Sequence, residues 1–286
     1  GEFYRVPEVA YKAISFIETA HREKDFFGQP RNPYANFHAA AGVALAALGR
    51  FKEGEDLLDK SLRFSREIND PFALAITEYE YGAFFIFLGD GAQAVYHQQE
   101  AIKLLEQIQY FLILGFSTAL LGWGYFLLGD YNTACNHTEK AMKIDADAGL
   151  PFGLPMNHLL LSEIHYATGD SKKAIDLAKK ALNFAQKFKQ PHMEAWSNLI
   201  LGRAMVKTDI NEVEKAEEFI LKGIQIFEKL KLRPFTSWNY FLLGELYINI
   251  GRKELALNKL KKAESSFQKM GMDIWLAKTK EVMAKL

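Results

Sequence analysis

Apolar residues recur along the chain with the spacing of amphipathic helices, in stretches of about 16–18 residues that are separated by short turns. Four of these turns are alike, because a short apolar or small pair is followed by Gly and then by a polar residue. Their glycines, Gly49, Gly89, Gly129 and Gly169, lie 40 residues apart. The next step falls at Asp209 and, after a two-residue insertion, the last falls at Gly251. The period predicts a chain of repeats with two helices each.

Small residues fill three further columns in phase with this period. Seven residues before the turns lie Gly42, Gly82, Gly122, Ser162, Gly202 and Gly244. In the helix after the turns lie Gly54, Ala94, Ala134, Ala174, Ala216 and Ala256, and then Ser61, Ala101, Ala141, Ala181, Gly223 and Ala263. Small residues let two helices approach closely, and one helix pair cannot bury both of its faces. The predicted fold is therefore an all-α solenoid of stacked antiparallel helix pairs, with about six complete repeats and a single helix at each end.

Turn residues indicate where the helices end and begin. Glycine can adopt the left-handed conformation that ends a helix, and Asp90, Asp130 and Asp170 follow it in position to cap the next one. Prolines near the joints between repeats suit a first helical turn; these are Pro71, Pro151, Pro191 and Pro234. Residues 149–155 hold two prolines and two glycines, so the fourth first helix is expected to begin near Pro155. This loop is either a local variation or a contact loop at the edge of a binding groove.

The repeats resemble the tetratricopeptide repeat, whose pattern is W-x2-L-G-x2-Y followed by Ala and Pro over 34 residues. The matching segments are Tyr81-Gly82 with Phe85, Leu121-Gly122 with Tyr125, Leu201-Gly202, and Leu243-Gly244 with Tyr247. The early Trp is missing in every repeat, so the form is divergent. The longer unit is similar to the C-terminal repeat regions of bacterial maltose-regulator-type transcription factors and of cyclase or ATPase regulators. The resemblance covers residues 33–286 and implies a right-handed superhelix.

The repeat phase divides the chain into four segments. Residues 1–3 are expected to be a cloning remnant, so the chain is expected to be part of a longer protein. Residues 4–32 hold the N-terminal helix of an incomplete repeat, which is predicted over 7–24. Residues 33–270 form the six repeats, and residues 271–286 form a C-terminal capping helix whose outer lysines keep it solvated.

Composition limits the function less than the distribution of charge does. The chain has 35 Lys and Arg against 35 Asp and Glu, and a net charge of zero argues against nucleic-acid binding driven by bulk charge. Residues 1–170, however, hold 13 basic and 22 acidic residues, a balance of −9, and residues 171–286 hold 22 and 13, a balance of +9. The single cysteine, Cys135, fits a reducing compartment, and we expect a cytoplasmic protein.

No arrangement of residues in the sequence predicts an enzyme, a cofactor site or a metal site. Phosphate loops, G-x-G-x-x-G and H-E-x-x-H motifs are absent. His158, Glu163 and His165 are the nearest approach to a metal cluster, but the two histidines lie seven residues apart on one helix, and a structural role is favoured. Residues 111–129 carry no charge and resemble a membrane span. The repeat phase instead makes this segment a first helix, so no membrane partner is expected.

The resemblance places the first helix of each pair along a concave groove, which gives candidate binding residues. The candidates are Tyr79, Phe116, Trp123, Phe126, Glu163, Tyr166, Trp196, Arg203, Trp238, Phe241 and Glu245. Most are aromatic, and Glu163, Arg203 and Glu245 form a row of alternating charge. An apolar stripe that is edged by charge indicates a binding surface. The alternative is that the aromatic residues pack between neighbouring helices and that the charge row is a neutralised ladder.

The favoured function is a non-enzymatic interaction or scaffold module that holds a peptide or partner domain in the groove, as the regulatory segment of a larger signalling protein. The alternative is a small-molecule effector sensor of a transcription regulator, cyclase or ATPase. A third possibility is electrostatic docking on second-helix lysines, which include Lys172, Lys173, Lys179, Lys180, Lys187, Lys189, Lys259, Lys261 and Lys262. The opposite charges of the two halves also allow a homo-oligomer with end-to-end or groove contacts.

Overall fold

The computed structural model describes residues 2–286, except for the side chain of Ile210. Over these residues the fold is entirely helical and divides into two units, residues 2–151 and residues 152–286. We call them the N-terminal and the C-terminal unit. Each unit contains three antiparallel helix pairs and one single helix, so the six predicted repeats with flanking helices are confirmed.

The N-terminal unit begins with its single helix. Its helices are α1 (Val6–Thr19), α2 (Pro33–Ala47), α3 (Phe51–Glu67), α4 (Pro71–Leu88), α5 (Gly91–Gln107), α6 (Phe111–Leu127) and α7 (Tyr131–Asp147). Helix α1 ends five residues earlier than predicted, because Asp25 holds the chain in a turn by accepting hydrogen bonds from Arg22 and from the backbone N–H of Phe27. In the described part of the chain, no helix, α6 included, is both long and apolar enough to cross a membrane.

The C-terminal unit ends with its single helix. Its helices are α8 (Leu154–Ala167), α9 (Ser171–Lys187), α10 (Pro191–Thr208), α11 (Val213–Lys229), α12 (Arg233–Asn249), α13 (Lys253–Met270) and α14 (Asp273–Met283). A short 3₁₀ turn, Pro151–Gly153, precedes α8, which begins next to Pro155 as the prolines predict. We call α2, α4, α6, α8, α10 and α12 the first helices of their pairs. Helix α14 occupies the next first-helix place.

The turns within the pairs follow from their sequence. The glycines have φ between 75° and 95° at Gly49, Gly89, Gly129, Gly169 and Gly251. The amide after the glycine reaches back to the carbonyl six positions along, for example from Asp90 to Phe85 at 2.9 Å. The carboxylates of Asp90, Asp130 and Asp170 then accept a hydrogen bond from a first-turn amide of the next helix. The turn is therefore a Schellman motif followed by an N-cap.

Small residues bring the two helices of a pair into close contact. A Cβ on Gly202 would lie 2.5 Å from the backbone oxygen of Ala216, and a Cβ on Gly42 would lie 2.7 Å from that of Gly54. At the equivalent position the Ser162 hydroxyl donates to the Ala174 carbonyl at 2.6 Å. The small columns are therefore the contact line of each pair, as the sequence predicts.

Candidate functional site

The first helices of the C-terminal unit enclose the cavity that concerns us most. Its volume is about 680 Å³, and every lining residue comes from α8, α10, α12, or α14 and the residues that follow it. The lining residues are Tyr166, Arg203, Val206, Lys207, Leu242, Glu245, Leu246, Ile248, Asn249, Val282 and Lys285. We call this space the first-helix cavity. It combines an apolar wall with charged side chains, which is the usual composition of a ligand site.

Arg203 is the best ordered charge of this cavity. Its Nη1 lies 3.2 Å from Oε2 of Glu163, and its side chain is only 15% exposed. The guanidinium carbon also lies 4.3 Å from the ring centre of Tyr166, within the range of a cation–π interaction. Burial opposes the charged form of Arg203, but Glu163, Tyr166 and Glu245 outweigh it and raise the guanidinium pKa. Arg203 is therefore a permanently charged group in a fixed position.

Glu163 is buried behind Arg203 and is held from two sides. The indole Nε1 of Trp196 donates to its Oε1 at 3.2 Å, while Arg203 donates to its Oε2. Trp196 in turn lies edge-on to Trp238, with the ring centres 5.8 Å apart. This chain of contacts positions Arg203. Trp196 and Glu163 thus act as support for the cavity rather than as its lining.

Lys207 and Glu245 complete the charges near Arg203. The Nζ of Lys207 donates to the backbone oxygen of Tyr166 at 3.0 Å and lies 4.5 Å from the centre of its ring. Burial raises the pKa of Glu245, while Arg203 and Lys278 act in the opposite direction. The predicted row of alternating charge therefore exists, with Arg203 paired to Glu163 and still lining the cavity beside Glu245.

Two of the predicted aromatic candidates in this unit are buried in packing. Trp238 and Phe241 are 7% and 5% exposed, and both contact Trp275 of α14, at ring-centre distances of 5.1 and 5.8 Å. The structure therefore places Tyr166, Arg203 and Glu245 at the cavity, and Trp196, Glu163, Trp238 and Phe241 beneath it or beside it.

The four candidates of the N-terminal unit do not share one cavity. Trp123 is buried at 5% exposure and lies edge-on to Phe126, while Tyr79 and Phe116 are half-buried. A cavity of about 640 Å³ lies elsewhere in this unit, and none of these four residues lines it. It is lined by Ala13, Phe16, Ile17, Phe27, Gln29, Pro30, Arg31, Pro33, Asn36, Phe37, Phe72 and Tyr110.

Several residues of the first-helix cavity were not among the candidates. Lys207, Leu242, Asn249, Val282 and Lys285 line it beside the predicted ones. Lys207 and Asn249 share one repeat position, four residues after Arg203 and Glu245. One turn of helix separates these positions, so a search at four-residue spacing from Arg203 would have found Lys207.

Other chemistry is not assembled in the described residues. Within that part of the chain, no three or more His, Cys, Asp or Glu side chains are placed to hold a metal ion. His158, from the predicted cluster, accepts or donates a hydrogen bond at Nδ1 with the backbone oxygen of Leu154, and burial lowers its pKa. Glu163 is engaged by Arg203 and Trp196, as described above.

Two family models match the sequence. The model described as MalT-like TPR region matches residues 81–286, and one described as tetratricopeptide repeat matches residues 35–60. They confirm the resemblance that the repeat pattern indicated. The comparison with curated proteins gives no match.

Solved structures with the same arrangement of helices come from regulatory proteins. A Rap protein complexed with competence and sporulation factor has a TM-score of 0.70 at 17% identity, over 97% of this chain and 80% of that chain. The Rap conjugation gene regulator of plasmid pLS20, in complex with the Phr* peptide, has a TM-score of 0.70 at 19% identity, over 94% and 72%. The sensor-bearing signal transduction ATPase PH0952 from Pyrococcus horikoshii has a TM-score of 0.56 at 19% identity, over 98% and 44%. At these identities the similarity establishes the fold.

Proposed function

The chain belongs to the family of MalT-like TPR regions, and on that premise we propose that it is a non-enzymatic module that binds a peptide or an extended segment of a partner protein in its first-helix cavity. The observation that carries this proposal is the cavity itself, which first helices alone build and which joins an apolar wall to fixed charges. Apolar side chains would supply affinity there, and the charges would fix the register of the bound segment.

Two lines of similarity support a peptide as the ligand. The Rap regulator of pLS20 was solved in complex with a peptide, and NprR was solved in complex with its cognate peptide NprX. NprR has a TM-score of 0.69 to this chain at 13% identity, over 88% of this chain and 72% of that chain. We further propose that the module works in the cytoplasm, as the regulatory segment of a larger signalling protein.

The experiment is an affinity selection with a synthetic library of random heptapeptides. The chain is mixed with the library, bound peptides are separated by size exclusion, and mass spectrometry identifies them. Leu242 lines the cavity, whereas Leu257 lies exposed on α13. We expect Leu242→Gln to lose the selected peptides, because it places an amide in the apolar wall, and Leu257→Gln, the matched control, to keep them.

Each outcome decides between the candidates. Equal retention of peptides by Leu242→Gln and by the parent chain would place binding outside the cavity and overturn the proposal. The volume of about 680 Å³ also suits a small effector, since such sites measure roughly 300–1,000 Å³. If no peptide is retained but a metabolite library raises the melting temperature, the module is a small-molecule sensor.

A further inference from the structure

The charges of the first-helix cavity are unequal in number and in freedom. Arg203, Lys207 and Lys285 are basic, and Glu245 is the one acid among the lining residues. Glu163 adds a second carboxylate, but it is buried and already bound by Trp196 and Arg203. Lys285 is paired with Glu281 at 2.7 Å, outside the cavity lining. The cations that face the cavity without a carboxylate of their own at its surface are therefore Arg203, on its outer side, and Lys207.

These two cations are gathered at one aromatic ring. The guanidinium carbon of Arg203 and the Nζ of Lys207 lie 4.3 and 4.5 Å from the centre of the Tyr166 ring. Two like charges in one partly buried place repel each other, so an anion between them is favoured. Planar guanidinium and carboxylate groups also match in shape, because two parallel hydrogen bonds can join them.

Arg203 loses little freedom when it binds. Glu163 holds Nη1, and the ring of Tyr166 covers the guanidinium, so the side chain is already ordered. A group that is ordered before binding keeps more of its interaction free energy as affinity. The low exposure of Arg203 also strengthens its attraction for an anion relative to a solvated arginine.

We propose that Arg203 and Lys207 recognise a carboxylate of the bound peptide. This inference rests on the proposed function, and it names the chemistry by which the cavity selects among peptides. The carboxylate is either the C-terminus or the side chain of Asp or Glu, since both present the same group. Apolar residues next to that group would contact Val206, Leu246 and Ile248, which line the same cavity.

The experiment repeats the affinity selection with two matched libraries. One library ends in a free carboxylate and the other ends in a carboxamide, and both contain Asp and Glu at random positions. Preference for the free-acid library assigns the C-terminus, and enrichment of Asp or Glu at one position in both libraries assigns a side chain. Equal retention with no such enrichment overturns the inference while the proposed function stands. Retention of no peptide at all is the failure of the proposed function instead.

Three variants test the residues on the selected peptide, with affinity measured by titration. Glu163→Gln keeps an acceptor for the Trp196 indole but removes the competing charge on Arg203, so we expect binding about tenfold tighter. Lys207→Gln, at an exposed side chain, is expected to weaken it about tenfold. The double change Glu163→Gln with Arg203→Met is expected to abolish the preference for the acid over the amide.

A result in which the double variant keeps the acid preference would refute the role of Arg203. The melting temperature of each variant is measured beside its affinity, so that a loss of folding is recognised. Lys207→Gln serves as the second route to the answer, because its side chain is exposed and its loss leaves the Arg203–Glu163 ion pair in place. Unchanged affinity in Lys207→Gln together with unchanged affinity in Glu163→Gln would overturn the inference.

Discussion

The two units share one fold but differ in one column of their first helices, the position after the small residue of each pair. In the N-terminal unit the column holds Val43, Ala83 and Trp123, and in the C-terminal unit it holds Glu163, Arg203 and Glu245. The helices around the column have the same length and the same turns in both units. Stacking therefore requires only that the column be filled, and the choice between apolar and charged residues is free to serve another purpose.

The two choices have different physical consequences. Trp123 is 5% exposed and contributes packing. Arg203 and Glu163 are almost as well covered, yet they must satisfy each other, because an unpaired charge in such a place is costly. A column that tolerates this cost next to a cavity indicates a site of recognition, whereas the apolar column indicates a place where the stack is only held together.

Arg203→Met should give the largest effect, because it leaves the Glu163 carboxylate buried without its cation. We expect a loss of about 3–5 kcal/mol in the free energy of unfolding, as measured by urea denaturation followed by circular dichroism. The double variant with Glu163→Gln should recover most of this loss. Equal losses in the single and the double variant would mean that Arg203 contributes through its bulk, as Trp123 does.

A pH series should separate the carboxylates of the two units. Glu80, in the N-terminal unit, makes no ion pair within the described residues, and burial raises its pKa to about 8, with Arg31 acting in the opposite direction. Its folded-state pKa lies above the usual value near 4.5. Protonated Glu80 therefore stabilises the fold fully at acidic pH, and this contribution is lost as the pH rises through about 8.

Glu80→Gln should flatten the pH dependence of stability that this carboxyl causes, which amounts to at most about 1.4 kcal/mol per pH unit for one group. Glu245→Gln should act in the same direction but less strongly, because Arg203 and Lys278 partly offset the burial of Glu245. Urea denaturation at about pH 5, 6.5 and 8 measures both. An unchanged slope in Glu80→Gln would show that its carboxyl is solvated.

Alanine at the small column should distinguish rigid from adjustable contacts. In Gly202→Ala the new Cβ meets the backbone oxygen of Ala216, so we expect a loss of about 1–3 kcal/mol in unfolding free energy. In Gly82→Ala the atoms within 3 Å belong to the side chain of Gln98, which can turn away. The loss there should be smaller, and higher helix propensity should offset part of it. Thermal denaturation of the two variants provides the comparison, and a larger loss for Gly82→Ala would reverse this assignment.

The smallest effect should be equal in the two units. Asp90 and Asp170 cap helices in different units with the same hydrogen bond, each to a backbone amide at 3.1 Å. Replacing either by Ala should cost about 1 kcal/mol in unfolding free energy. Clearly unequal losses would show that the caps depend on their unit, and the comparison could not then be confined to the charge column.

The architecture could be predicted from the sequence because glycine and small residues mark it directly. Each turn within a pair shows a Gly, and each close contact shows a missing side chain. The turns between pairs were harder to recognise, since residues with positive φ stand there that are not glycine: Asn69, Gln109, Lys189 and Lys231. Such residues rarely adopt this conformation, so no propensity rule points to them.

The site could be predicted only in part, for a physical reason. Periodicity tells which residues share the first-helix positions, and it placed Tyr166, Arg203 and Glu245 correctly at the cavity. It does not tell how deeply each one is covered, because coverage depends on neighbouring helices. Trp238 and Phe241 are covered by Trp275 of α14, and that contact is not visible in the repeat pattern.

The repeated turn has a consequence for how such a chain changes over generations. At Gly89-Asp90 and again at Gly129-Asp130, the same left-handed residue, the same backward hydrogen bond and the same capping carboxylate occur 40 residues apart. A genetic crossover between the two sites deletes or duplicates 40 residues and still leaves an intact turn at the junction. The number of helix pairs is thus a heritable variable that can change in one event, while a column such as that of Arg203 must change one codon at a time.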